Sequence, residues 1–398
     1  MTPAGWLFWI ASALLVWVYA GYPVAAAIKA RVRPFVPKSD SSARPLVTVG
    51  IAAHDEGRQL EGRVANILAQ EGPFELEVIV ASDGSTDQSM AILERLASSE
   101  KRIRYLDLAR GGQTAAQNAI FREAQGEIVI LSDAETRFAP GCIAQLVAPF
   151  ADQRVGCTTG RLEWVDAKRT QTSRNEGLYW RYEQLVRRLE SRAGWLTAVT
   201  GALLAVRHSS YRDVPAHASM DHLLPLYVRA EGRRVVAVPE AVAADRPIAG
   251  LRAQFQNRSR TATRGIRANL SMAARLAPWR DPSAALAIWS HKLLRWGTPW
   301  LVGLAALGAG IELLAGGSGL WAIPLAAIAA WVVLSVAAWA IRRRRATPPR
   351  VAAFALAVAV VNAAFLVGWW NLMRGQRIEA WHRSRWTTEN AGSRARGR

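Results

Sequence analysis

Residues 76–87 read Leu-Glu-Val-Ile-Val-Ala-Ser-Asp-Gly-Ser-Thr-Asp, a short apolar run that ends on an acidic turn. Leu76 to Ala81 has the length and β-branched content of a buried strand. Asp83 and Gly84 are turn formers, and Ser85 or Thr86 is placed to cap a helix over Asp87 to Ser99. The same pattern repeats on both sides. Strand-like runs at Leu46–Ile51, Ile103–Leu108 and Glu127–Ser132 alternate with amphipathic stretches at Arg58–Gln70 and Thr114–Glu123. Strand, helix, strand repeated in this way predicts an α/β fold with a mainly parallel sheet covered on both faces.

This polar middle lies between apolar ends, a contrast that the overall 51% apolar content and mean hydropathy of +0.05 average away. Gly5 to Ile28 is uncharged, rich in Trp and Tyr, and long enough to cross a bilayer. Basic residues come after it rather than before it, which is not the pattern of a signal peptide. Lys29, Arg31 and Arg33 then put the amino terminus outside, residues 1–30 in the membrane and residue 31 onward in the cytoplasm. Residues 31–45, with prolines at 34, 37 and 45, read as a linker to a domain over 46–250. Residues 251–295 carry Phe255, Ile266, Leu270 and Leu276 among arginines, the composition of helices lying in the membrane interface. Trp296–Leu314, Trp321–Ile341 and Val351–Met373 are candidate spans within 296–373, ahead of a basic tail over 374–398. One span plus three would leave that tail outside, although it carries Arg374, Arg377, Arg383 and Arg385. Val351–Met373, alanine-rich and interrupted by Asn362, is therefore expected to be re-entrant or interfacial.

A net charge of +19 raises the possibility of a nucleic-acid partner. The arginines cluster beside the apolar segments, at Arg342–Arg345 and between Arg252 and Arg280, and this placement favours topology and anionic-lipid contact over nucleic acid. Cys142 and Cys157 are the whole cysteine complement, so neither a disulfide framework nor a zinc-ligand spacing is encoded.

In an open parallel sheet, ligands bind beyond the carboxyl ends of the strands. Those ends are acidic here. The first strand runs into His54-Asp55-Glu56, the second into Asp83, and the fourth into Asp133-Ala134-Glu135. Asp83 sits where a carboxylate accepts from ribose hydroxyls or a base N–H. Asp133 and Glu135 are spaced to share one hard cation, Mg2+ or Mn2+, with diphosphate oxygens. The plainer alternatives are a capped turn for the first and a solvated acidic turn for the second.

The order of these elements resembles the membrane-bound family 2 inverting glycosyltransferases of GT-A fold, a Rossmann-like architecture shared by cellulose and hyaluronan synthases. Ala53-His54-Asp55-Glu56 is similar to the family's first-strand motif, with Asp55 where Asn is usual. Asp83-Gly84-Ser85-Thr86-Asp87 is similar to its nucleotide-contacting motif, and Asp133-Ala134-Glu135 to its metal-binding D-x-D. Gly112-Gln113-Thr114-Ala115-Ala116-Gln117-Asn118 resembles a donor-site segment in which Gln113 replaces lysine. Thr200-Gly201-Ala202 resembles the floor of the acceptor site, and Asp221 the catalytic base. The resemblance makes Arg258 and Arg260 candidates for the diphosphate, although the Gln-x-x-Arg-Trp of processive members is not kept around them. Tyr179 and Trp180 are candidates for stacking on an acceptor sugar, with core packing as the plainer alternative. Trp381–Trp386 resembles the tail that covers the nucleotide in some relatives.

The resemblance implies an inverting hexosyltransferase at the bacterial inner membrane. It would use a nucleotide sugar, UDP-linked by expectation, and a lipid-linked or polysaccharide acceptor, in company with membrane lipids and other polysaccharide-assembly proteins. Three other readings compete with this one. A processive synthase would differ in product length. A noncatalytic sugar- or lipid-binding scaffold would be indifferent to loss of Asp221. A nucleic-acid binder would show salt-sensitive duplex binding.

Overall fold

The computed structural model describes residues 2–38, 44–165, 171–245, 250–344 and 346–376, the side chains of 171–180 excepted. Two helices open the chain: α1 (Pro3–Val16) continues through a π turn at Trp17–Gly21 into α2 (Tyr22–Val32). The helix thus reaches two residues into the expected linker. Beyond it the chain is pinned, because the Phe35 amide donates to the Arg192 carbonyl at 2.6 Å.

The α/β domain comes next, in the expected alternation. Its first half is β1 (Leu46–Ala53), α3 (Gly57–Leu68), β2 (Glu75–Asp83), α4 (Ser89–Ser99), β3 (Ile103–Leu108), α5 (Gln113–Glu123) and β4 (Ile128–Ser132). Successive strand residues alternate between two cores, as the period of two requires. Val47, Val49, Ile51, Val78, Val80 and Ile130 join α3 and α4 in one core. Ile79, Ala81, Val129 and Leu131 join α5 in the other. Cutting Ile79 or Ile130 back to alanine would cost about 2–5 kcal/mol. Gly50 sits where α5 presses closest, since any Cβ there would run into Ile120.

The second half comprises β5 (Arg137–Phe138), α6 (Cys142–Val147), β6 (Val155–Trp164), α7 (Gln171–Ala193), β7 (Leu204–Arg207), α8 (Met220–Ala230) and β8 (Arg234–Asp245). The strand order is β3-β2-β1-β4-β7-β6-β8-β5. Pairing is parallel through β3-β2-β1-β4 and again between β6 and β8, but β7 is antiparallel to both β4 and β6, and β5 to β8. The sheet is mainly parallel, as expected, with antiparallel pairing confined to the short ladders of β7 and β5. β7 is only four residues long, and its antiparallel entry is signalled by no repeat of the strand–helix pattern. Both cysteines are buried and free.

The register decides where the site forms. Ala53 pairs with Ser82, Ile51 with Ser132 and Asp83 with Leu108, so the residues after β1, β2, β3 and β4 emerge along one edge.

After the sheet come α9 (Leu251–Met272), α10 (Pro282–Ala287), a π turn at Ile288–Leu293, α11 (Leu294–Trp296), α12 (Thr298–Leu314), α13 (Ala322–Arg343) and α14 (Arg350–Met373). Three stretches are long and apolar enough to cross a membrane: Pro3–Val32, Gly319–Arg343 and Arg350–Met373. The expected span at Trp296–Leu314 is instead one arm of a pair, Pro282–Trp296 and Thr298–Leu314, bent by 66°. Asn362 does not interrupt its helix. Its amide donates to the Val358 carbonyl at 2.9 Å one turn back, so the break expected there is corrected. The tail beyond Gln376, including Trp381–Trp386, lies outside the described residues.

Candidate active site

The loops after β1 and β2 are laced together. Asp55 has a left-handed backbone (φ 55°), a conformation that Asp tolerates better than most residues. Its amide donates to Ser85 Oγ at 3.1 Å, while its Oδ1 accepts from the Thr86 amide at 2.7 Å and the Asp87 amide at 3.3 Å. The Thr86 N–H is the chief reason that its carboxyl is held below the usual range. His54 Nδ1 meets the Asp83 carbonyl at 2.9 Å, and the Glu56 amide donates to Ser89 Oγ at 3.1 Å. These three residues thus shape the loop pair, with Glu56 buried within it.

Asp83 is 1% exposed. Its carboxylate accepts from the Gly111 amide at 2.6 Å, the Gly112 amide at 2.9 Å and the Arg110 guanidinium at 2.9 Å. Gly112, at φ 89°, takes a conformation costly for any L side chain. It aims the next residue across the cleft: Gln113 Nε2 donates to Asp133 Oδ1 at 3.1 Å.

Asp133 is the electrostatic centre. Burial pushes its carboxyl up to about 6, the neighbouring carboxylates of Asp221 and Glu135 add to the rise, and Arg63 and Arg260 oppose it. Arg63 lies underneath, fully buried and stacked 4.0 Å over the Phe138 ring. It donates to Ser132 Oγ at 2.7 Å, and Ser132 donates in turn to the Ala202 carbonyl at 2.7 Å. Asp221 opens α8 directly across the cleft. Burial disfavours its charge, but His222, Ser219 and Arg264 together hold it well below the usual carboxylate range. Arg264 also donates to the Ala218 carbonyl at 2.7 Å.

Gly201 lies against Asp221, since a Cβ added there would sit 3.5 Å from its carboxyl. Thr200, beside it, is held by Arg187 through a 2.5 Å bond. Arg187 continues to Glu183, where burial is outweighed by Lys292, His291, Arg295 and Arg187 itself, so the carboxylate stays ionised. From α9, Arg260 faces both Asp221 and Asp133. Arg258 lies two residues before it on the same helix. Tyr179 and Trp180 fall in α7, where their side chains lie outside the described residues.

The structure thus joins Asp83, Gln113, Asp133, Glu135, Gly201, Asp221 and Arg260 around one cleft. Sequence reasoning missed Arg110, Arg63, Ser132, His222, Arg264 and Arg187. His222 and Ser219 flank Asp221 in the chain and offer the one local signal; the arginines arrive from distant segments.

The carboxylate pair suits a hard divalent cation. Asp133 and Glu135 supply oxygen ligands only, and the Asp221 carboxylate adds its negative charge beside them. Among the described residues no group of three or more such ligands assembles, so these two would share a cation with ligand oxygens.

The Glycosyl transferase family 2 profile matches residues 48–214, from β1 to the approach of α8. The chain carries a glycosyltransferase family 2 domain, and the class that this domain and its sheet define is a glycosyltransferase of GT-A fold. Among curated proteins it is 26% identical to an N-acetylglucosaminyltransferase of Sinorhizobium fredii over 68% of each chain. It is 29% identical to one of Mesorhizobium japonicum over 50% of this chain and 51% of that one, so it spans about half the length of that relative. Among solved structures, a mannosyltransferase from Pyrobaculum calidifontis, in complex with GDP-Man and Mn2+, has the same fold with a TM-score of 0.64 and 24% identity. The likeness covers 90% of this chain and 99% of that one.

Proposed function

We propose that the protein is an inverting glycosyltransferase that moves a sugar from a UDP-sugar to a lipid-linked or glycan acceptor at the bacterial inner membrane. Its relatives' names make N-acetylglucosamine the first sugar to test. The observation that carries this reading is the meeting of Asp133, Glu135 and Asp221 beneath Arg260.

In this reading Asp221 accepts the proton of the acceptor hydroxyl. The hydroxyl oxygen then forms a bond to the anomeric carbon from the face opposite the donor phosphate, and the bond to that phosphate breaks with inversion. An ionised Asp221, backed by His222 and Ser219, is in the state a base requires. Gly201 leaves the acceptor room beside it, and Thr200 and Ala202 form the floor. Asp133 and Glu135 would hold the divalent cation, which neutralises charge on the diphosphate when bound. Arg260, with Arg258 nearby on α9, faces the charge that develops on the leaving nucleoside diphosphate. Asp83 shapes the nucleotide end of the cleft through the Gly111–Gly112 turn, and His54, Asp55 and Glu56 through the loops after β1 and β2.

The test is a screen of radiolabelled UDP- and GDP-sugars with detergent-solubilised protein, with and without Mn2+. Consumption of one donor, dependent on the metal and lost in Asp221→Asn, supports the reading. Equal turnover by Asp221→Asn, or no turnover of any donor, overturns it.

A further inference from the structure

α14 is apolar and long enough to span a bilayer, yet both of its ends pack against one helix, α9. The scale is fixed by α1 and α12. Gly5 lies against Glu312, and Phe8 packs edge-on against Trp321, with ring centroids 5.2 Å apart. At the opposite end the Tyr19 hydroxyl meets Thr298 Oγ1 at 3.0 Å, and Trp17 donates to Ser290 at 2.9 Å. α12 therefore runs antiparallel to the first helix. Its start lies level with Tyr22, which bonds Glu190 of the α/β domain at 2.5 Å. At 1.5 Å per residue its length is about 25 Å, close to the thickness of a bilayer's hydrocarbon core. α13 leaves from the far end, beside Trp321, and returns.

The last turns of α13 meet the beginning of α14, where Ala338 packs with Ala352, Leu356 and Leu251 of α9. At the end of α14, Gly368 lies against Ala262 and Thr263 of α9, and Asn371 donates to Thr263 Oγ1 at 3.2 Å. Arg267 donates to the Gln376 carbonyl at 2.8 Å, and Trp369 to the Trp296 carbonyl at 3.1 Å. α9 and α14 thus run side by side in the same direction. α9 cannot cross lipid: it carries Arg252, Arg258, Arg260, Arg264 and Arg267, and Arg264 reaches Thr114 and the Ala216 and Ala218 carbonyls of the α/β domain.

We propose that α14 does not cross the membrane but lies along the face that carries the α/β domain. One side rests on α9, and Val351, Phe354, Trp370 and Met373 are set into the lipid of that leaflet. The crossing elements are then the first helix, α12 and α13. Aromatic–arginine pairs one helical turn apart mark the water–lipid boundary at the ends of α13 and α14: Arg343 over Trp339 at 4.2 Å, and Arg374 over Trp370 at 4.6 Å. Three crossings return the chain to the domain's side, so Arg342–Arg344 and Arg374 share it, as the positive-inside rule requires.

The placement of α14 is independent of the reaction, and its test compares sides of the membrane. Ser98→Cys reports the α/β domain, Ala315→Cys the far end of α12, and Gln376→Cys the end of α14. The buried Cys142 and Cys157 make the unsubstituted protein the background control. A membrane-impermeant maleimide is applied to right-side-out and inverted vesicles, with labelling normalised to detergent-opened samples. The expected result is that Gln376→Cys labels in the same vesicles as Ser98→Cys, and Ala315→Cys in the opposite ones. Labelling of Gln376→Cys together with Ala315→Cys overturns the proposal. A protease-sensitive tag fused after Arg398 gives a second readout free of substitutions, and its cleavage on the Ala315 side would overturn the proposal equally.

Discussion

Gln113 gives its side-chain amide to Asp133 Oδ1 at 3.1 Å, so a neutral donor meets the carboxylate where the resembled motif has an ammonium. The Gly112 conformation aims that side chain, and Asp221 and Glu135 crowd the same carboxylate from the other side. Gln113→Ala removes one hydrogen bond and is expected to weaken nucleotide-sugar binding about three- to tenfold. Gln113→Lys is expected to restore or exceed the original affinity by adding a cation near the diphosphate. Calorimetric titration with the donor measures both; stronger binding by the alanine variant would contradict the assignment.

Asp221→Asn keeps the shape and removes the proton acceptor. A loss of about 10² to 10⁴ in kcat is expected, with donor KM little changed. Initial rates at saturating donor give the number, and a circular dichroism spectrum matching the parent protein excludes unfolding as its cause.

Asp55 links pH to stability. Its folded carboxyl lies below the ordinary value of about 3.9, so the stabilisation it provides is present above that value and is lost as pH falls through the folded pKa. Asp55→Asn still offers an oxygen to the Thr86 and Asp87 amides but does not titrate. The variant is expected to lose about 1 kcal/mol at pH 7 and to show a shallower fall of Tm below about pH 4 than the parent. Thermal melts from acid to neutral pH compare the two slopes.

Gly160 is a steric requirement of the β6 irregularity. A Cβ there would run into Leu203 and the Ala241 carbonyl, one of which is backbone and cannot give way. Gly160→Ala is expected to cost about 1–3 kcal/mol, read as a lower Tm. Because Leu203 comes directly after Thr200–Ala202, the floor proposed for the acceptor, the acceptor KM is expected to rise as well.

The first four strands and their helices are legible from residues alone, because each strand is a short run dominated by apolar residues and each helix an amphipathic one. The carboxylates after those strands follow from register, since parallel strands of similar length finish together. The antiparallel β7 is not legible: four residues leave too short a period to read. Nor is the Arg63–Ser132–Ala202 relay, whose members are 69 and 70 residues apart in the chain. The placement proposed for α14 is signalled in the sequence only by charge parity, through the arginines that follow it. Its composition satisfies a membrane span, and its pairing with an arginine-bearing helix is the structural observation that parity lacked.

The Tyr22–Glu190 bond has a practical consequence for anyone trimming this protein to a water-soluble fragment. Glu190 is enclosed and takes donors from Tyr22 and His291, while its second oxygen has no partner among the described residues. Starting an expression clone after Val32 would take the Tyr22 donor from Glu190 and bare the surroundings of Ala287 and Trp195 to water. The stem behaves as a keystone rather than a tether, and a clone lacking it is expected to yield inclusion bodies.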